Sequence, residues 1–280
     1  DNSKSIFMKT IVVPVDFSTQ SEYALKAAVS LAKKHDAKIF ALHMLELSEA
    51  LITSPEGMQQ TQALFLIKLA EKRFKDLLEK PYLDGVKITP VIKHFKVFSE
   101  VNNIALEQQA DLVIMGSHGA DGLEEIFIGS NAEKVVRNSE VPVLVIKDNH
   151  ENFEINRIVF ACDFTEENLE PFKKALDFAR KVGSELNLVY INLPGNEFLS
   201  TKDTYSRISS FLQKAVVGKE VNIYNDYSVE QGVLNYGEQC NADVIAIPTH
   251  GRRGLSRFFK GSLGEDIANH SKLPVLTFKI

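Results

Sequence analysis

The stretch GSHGADGLEEIFIGS, Gly116–Ser130, decides how the chain is read. Upstream lies Leu112-Val113-Ile114-Met115, an apolar run with the character of a buried strand. Downstream, Asn131-Ala132-Glu133-Lys134-Val135-Val136 has the pattern of the first turns of a helix. A strand, a glycine-punctuated loop and a helix start therefore follow one another. A helix N-terminus offers unpaired N–H groups and the positive end of a dipole, which suits a phosphate. Glycine lets the backbone come close to a ligand. The stretch returns once as PTHGRRGLSRFFKGS, Pro248–Ser262, and both copies place nine residues between the inner Gly and the Gly-Ser pair, Gly119 to Gly129 and Gly251 to Gly261.

Working outward, the flanks repeat as well. Ile11-Val12-Val13-Pro14-Val15, ending at Asp16, is matched by Arg157–Cys162, ending at Asp163. Ile39–Met44 matches Leu186–Ile191, and Val141–Ile146 matches Pro274–Phe278. Asp16 to Asp163 spans 147 positions, whereas Gly119 to Gly251, Gly129 to Gly261 and Pro142 to Pro274 each span 132, so the first copy is 15 residues longer. His43 and Tyr190 still align at 147, which puts the extra residues after the second strand, in the 46–85 stretch. Long surface insertions add little closure entropy. The repeat is a duplicated domain, 8–147 and 156–280, joined by the polar stretch 147–156.

Between the strands the apolar residues fall at helical spacing. Ala24, Leu25, Ala28, Leu31 and Ala32 give one helix, with Thr19 and Glu22 as its capping box. A helix over roughly 61–80 carries Leu66, Ala70, Phe74, Leu77 and Leu78, after a turn signal at Ser54-Pro55-Glu56-Gly57. A strand over 86–93 and a helix over 99–109 complete the first copy. In the second, Thr165 and Asn168 stand where the helix bearing Leu169, Phe172, Leu176 and Ala179 should be capped. Alternating strands and helices specify an α/β fold, two tandem doubly wound domains, each with a parallel sheet and helices on both faces. Ligands bind such sheets beyond the carboxyl ends of the strands, where strand order reverses.

Composition excludes several classes. The 280 residues hold 44% hydrophobic and 25% charged residues, an ordinary globular balance with room for two cores. A net charge of −5 argues against a general nucleic-acid binder. No run reaches transmembrane length, and residues 1–7 are polar and short, so a cytoplasmic, non-membrane protein is expected. Cys162 and Cys240 show no metal-ligand or disulfide spacing. There is no phosphate-binding G-x-x-x-x-G-K-[ST], no dinucleotide G-x-G-x-x-G after the first strand and no nucleophile elbow. No general base for hydrolysis can be named from these residues, so a strong hydrolase is not expected.

Taken together, the strand ending in Asp16, the loop Gly116-x-x-Gly119-(nine residues)-Gly129-Ser130 and the closing Val141-Pro142-Val143-Leu144-Val145 resemble the universal stress protein family, twice along nearly the whole chain. The resemblance implies five-stranded parallel sheets of order 3-2-1-4-5 and pairing of the two domains through their last strands, an intramolecular pseudo-dimer, with a homodimer as a further expectation. It also implies a site for ATP, or ADP or AMP, with Mg as an accompanying ion. By that analogy Pro14, Val15 and Asp16 meet the nucleoside, Asp16 through the ribose, and the backbone near Val15 and Met44, with Met115, meets adenine. Gly116 lines the ribose. Gly119, Ala120, Gly129, Ser130, Asn131 and Ala132 surround the phosphates. The second copy offers Asp163, Ile191, Pro248, Gly251, Arg252, Gly261, Ser262 and Leu263.

The two copies depart from the family pattern differently. The first keeps its glycines but carries Asp121, Glu124 and Glu125, a formal −3. The second replaces the first glycine with Pro248 but carries Arg252, Arg253, Arg257 and Lys260, a formal +4. Plainer readings stand beside these. Asp16 and Asp163 could simply cap helices. His43 reads as a packed histidine, and His118 and His250 as loop packing. The whole molecule could be a non-catalytic interaction module binding an unknown protein partner or an apolar ligand. An enzyme of the wider adenine-nucleotide α-hydrolase type ranks last, because the Ser-Gly-Gly loop after the first strand is missing.

Overall fold

The computed structural model describes residues 7–45, 56–94, 97–117, 130–249 and 273–280. In the first half these residues form β1 (Thr10–Pro14), α1 (Thr19–His35), β2 (Lys38–Leu45), α2 (Glu56–Leu78), β3 (Ile88–His94), α3 (Val97–Glu107), β4 (Leu112–Gly116), α4 (Ser130–Asn138) and β5 (Val143–Ile146). The second half supplies β6 (Arg157–Ala161), α5 (Leu169–Val182), β7 (Glu185–Asn192), α6 (Thr201–Ala215), β8 (Val221–Asn225), α7 (Val229–Gln239), β9 (Val244–Thr249) and β10 (Val275–Lys279).

Among the described residues, ten strands make one sheet in the order β3-β2-β1-β4-β5-β10-β9-β6-β7-β8. Each half therefore runs 3-2-1-4-5 from its outer edge, and all pairings within a half are parallel. The halves join through β5 and β10, which pair antiparallel with Leu144 opposite Leu276. Val143 opposite Thr277 and Val145 opposite Val275 complete a register that is symmetric about that central pair. Pro90 lies in β3, an edge strand, where a missing N–H is tolerated.

The core has one layer on each face of the sheet, and each layer runs through both halves. Ala28 and Leu31 of α1, Phe74 of α2, Phe172 of α5 and Phe211 of α6 share one face. Val101 and Ile104 of α3, Val135 of α4 and Val233 of α7 share the other. Ion pairs reinforce the junction between halves. Lys181 of α5 binds Asp111, which also accepts the N–H groups of Lys9 and Thr10. Its counterpart Lys34 of α1 reaches Asn156 and Glu154 across the same junction.

Several sequence expectations are corrected. The cap of α1 is Ser18, whose hydroxyl oxygen accepts the Ser21 N–H, so Thr19 is already helical. Glu22 turns outward to Lys80 at 2.8 Å instead of closing a capping box. Gly57 belongs to α2 and not to a turn. The polar joining stretch is docked to the body, because Phe153 and Ile155 are buried in the core. As for the extra residues of the first half, α2 runs for 23 residues where α6 has 15. In α2 the buried residues from position 60 onward are Ala70, Phe74 and Leu77, while Leu64 and Phe65 stand 58% and 63% exposed.

Candidate functional site

Strand order reverses between β1 and β4, which pair side by side. Their carboxyl ends carry Pro14, Val15 and Asp16 on one side and Met115 and Gly116 on the other. The β1 end is fixed from β2: the Val15 N–H donates to the Leu42 carbonyl at 2.8 Å, and His43 Nδ1 lies 2.7 Å from the Val15 carbonyl oxygen. The His43 ring packs on Phe17 and Phe74, which makes it a packed histidine.

Asp16 does not cap α1. Its Oδ1 accepts from the Ser18 N–H at 2.9 Å and the Ser18 hydroxyl at 2.5 Å, closing a turn of two residues ahead of the helix. The residue inside that turn, Phe17, has φ +64°. The second half repeats the device: Asp163 Oδ1 accepts from the Thr165 N–H at 3.1 Å and its hydroxyl at 2.7 Å, and Phe164 has φ +55°. A left-handed conformation costs a non-glycine residue about 1–2 kcal/mol. Here the ring compensates, Phe164 stacking edge-on against Phe211 at 5.3 Å and Phe17 against Phe74 at 5.2 Å. Strained backbone of this kind recurs at ligand-binding sites.

Gly116 meets the same turn from the β4 side. A Cβ built there would lie 2.7 Å from the Gln20 carbonyl oxygen, so the first turn of α1 rests on the bare glycine. Whatever Gly116 does for a ligand, close helix–strand packing already requires it. Beside the turn, a cavity of about 660 Å³ lies between α1 and α2, lined in part by Asp16, Ser18, Gln20, Arg73 and Lys80. Arg73 stands over the Phe17 ring at 5.6 Å.

On the far side of the switch point α4 begins at Ser130, immediately after the glycine loop. Ala132, in the first turn of α4, is buried, and so are Met44 of β2, Met115 of β4 and Ile191 of β7. In the second half Asp163 is exposed at the end of β6, and Pro248 lies in β9 beside Phe278 of β10. Burial raises the pKa of the Tyr190 hydroxyl; nearby Arg207 counters this, and Asp163 adds to it. Burial also pushes the Cys162 thiol up, above the range of a reactive thiolate.

Gly119, Ala120, Gly129, Gly251, Arg252, Gly261, Ser262 and Leu263 lie outside the described residues. So do His118, His250 and the charged residues of both glycine loops. Among the described residues no cluster of His, Cys, Asp and Glu is arranged to hold a metal ion, and no helix is long and apolar enough to cross a membrane. Sequence reasoning missed the paired left-handed phenylalanines and the packing role of Gly116. The Asp-Phe-Ser and Asp-Phe-Thr repeats were the available signal for the first.

Comparison with known proteins follows this geometry. The family model described as "Universal stress protein family" matches residues 8–147 and again 154–279. A universal stress protein of Methanocaldococcus jannaschii is 33% identical over 146 residues, covering 52% of this chain and 85% of that protein. One from Mycolicibacterium smegmatis is 21% identical over 290 residues, 96% of each chain. The crystal structure of a universal stress protein from Archaeoglobus fulgidus superposes with a TM-score of 0.67 at 21% identity over 98% of both chains.

Proposed function

The chain belongs to the universal stress protein family as a tandem member, and from that premise we propose that it binds an adenine nucleotide, ATP, ADP or AMP, at the switch point of its halves and acts in stress signalling. One observation carries the reading. The glycine loop leaves β4, the strand that pairs with β1 where strand order reverses; α4 begins directly after that loop, and the end of β1 carries the Asp16 turn. Unpaired helix N–H groups attract phosphate, and the neighbouring carboxylate accepts ribose hydroxyls. Asp16 and Asp163 are assigned the ribose, the Val15 and Met44 backbone the base, and Gly119, Gly129, Ser130 and Asn131 the phosphates. The proposed domains are 8–147 and 156–280. No general base is named among the described residues, so the proposed role is binding, with slow ATP hydrolysis or self-phosphorylation as the most an enzyme reading allows.

The test is direct. Protein purified without added ligand is heat-denatured and the supernatant analysed by mass spectrometry, and the chain is then titrated with ATP by calorimetry. One or two adenine nucleotides per chain are expected. Gly129→Trp should abolish binding to the first half and Asp16→Ala should weaken it about tenfold, the value of one charge-assisted hydrogen bond. Unchanged binding in both variants would sink the proposal.

A second reading, an interaction module, is favoured by the apolar residues that α2 exposes, Leu64, Phe65 and Leu69. It replaces the first if no nucleotide binds at millimolar concentration.

A further inference from the structure

Asn168 stands at the entry to α5, where an asparagine ordinarily caps by accepting an N–H from two or three residues on. Three residues on is Pro171, which has no N–H, and the Asn168 side chain makes no cap bond. By contrast Ser18, Ser200 and Ser228 cap their helices through Ser21, Asp203 and Gln231. Asn168 turns the other way. Its Nδ2 donates to Asp163 Oδ1 at 2.6 Å and to the Thr165 hydroxyl at 3.1 Å. The reverse amide orientation would set acceptor against acceptor, so Asp163 fixes which way the amide points. Its Oδ1 is left buried with no hydrogen-bond partner, in a residue only 3% exposed. An orphan acceptor of that kind is destabilising and needs a compensating role.

That role is on Asp163. Three donors, the Thr165 N–H, the Thr165 hydroxyl and the Asn168 amide, converge on Oδ1. The carboxylate cannot rotate without breaking all three, so Oδ2 is held in one place at the exposed end of β6. In the first half Ser21 occupies the matching position, and both its N–H and its hydroxyl go to Ser18 rather than to Asp16. The donor that Asn168 gives to Asp163 thus has no equivalent from Ser21.

We propose that Asn168 is a positioning residue: it locks Asp163 so that the free carboxylate oxygen meets a hydroxyl donor of the ligand, the ribose diol of a nucleotide held by the second half. This rests on the nucleotide reading above and adds the residue that sets sugar recognition. A locked acceptor discriminates ribose from a sugar lacking hydroxyls, because the hydrogen bond is made without reordering the side chain.

The experiment uses the full chain in a Gly129→Trp background, so that only the second half can bind. ATP and 2′,3′-dideoxy-ATP are titrated by calorimetry against this parent, Asn168→Ala and Asn168→Ser. The serine variant installs the residue that the first half already tolerates and guards against failure to fold. The parent should prefer ATP, and both variants should lose about five- to tenfold in ATP affinity while binding the dideoxy analogue as before. Equal loss for both nucleotides, or none, overturns the assignment to Asn168 and leaves the nucleotide reading standing. A parent that binds neither nucleotide removes the second-half site and the inference together.

Discussion

The two halves share one sheet topology but seat their first helices differently. In the first, Gly116 ends β4 and the first turn of α1 settles onto it as regular α-helix from Thr19. In the second, Pro248 occupies the matching position, and the corresponding turn, Glu166–Asn168, is a 3-10 turn, with α-helix starting only at Leu169. One missing side chain at a strand end thus coincides with a change in the neighbouring element. The halves also differ in what lies behind that turn. Phe164, Phe211, Phe172 and Phe160 form a continuous chain of rings in the second half. The first half has the shorter set Phe17, His43 and Phe74, with Arg73 standing over Phe17. The duplicated fold keeps its sheet and varies the seat of the carboxylate.

The sharpest way to break this contrast is to add a side chain at Gly116. Gly116→Ala forces the Gln20 carbonyl to move and should destabilise the chain by about 3 kcal/mol, as overpacking does. Pro248→Ala should cost under about 1 kcal/mol, since that seat already accommodates a side chain. Urea unfolding monitored by far-UV circular dichroism reads both; equal costs would mean the seats are equivalent.

The junction provides a second contrast. Lys181 and Lys34 are counterparts, but the Lys181–Asp111 pair is mostly buried whereas Lys34 meets its partners in the open. Lys181→Ala should cost about 2 kcal/mol, between the limits for exposed and buried pairs. Lys34→Ala should leave the midpoint where it was. The same unfolding curves test this, and a symmetric response would show that burial does not decide the strength of the clamp.

The smallest effect has the opposite sign. Asp36 ends α1 and Gly183 ends α5, both left-handed, with φ +52° and +71°. Asp36→Gly should stabilise by about 0.5–1 kcal/mol, because glycine adopts that conformation without strain and a carboxylate is unfavourable at a helix C-terminus. Gly183→Asp should do the reverse. Thermal melts suffice, and a loss of stability in Asp36→Gly would mean that the aspartate has a partner role of its own.

Much of this was legible without coordinates. The repeat offsets, the alternation of apolar runs and helical stripes, and the glycine spacing determined the tandem α/β organisation, because backbone pairing and burial impose periods that sequence displays directly. The position of the first-half insertion came from the same arithmetic, and α2 is indeed the longer helix. What sequence could not decide were contacts between residues far apart in the chain. Thr19 looked like a cap because the pattern fits one residue either way, and only the helix start shows that Ser18 does the work. The stretch 147–156 looked like a free linker because it is mostly polar, yet Phe153 and Ile155 find a core that other elements build. Gly116 reads as a ligand glycine from its motif, and its packing against Gln20 exists only once β4 lies beside α1. Asn168 reads as a cap from its place, and the bond to Asp163 that gives it another role needs the backbone to turn left-handed at Phe164. Local pattern is written along the chain; the direction in which a polar side chain turns depends on which donors and acceptors the fold has already brought near it.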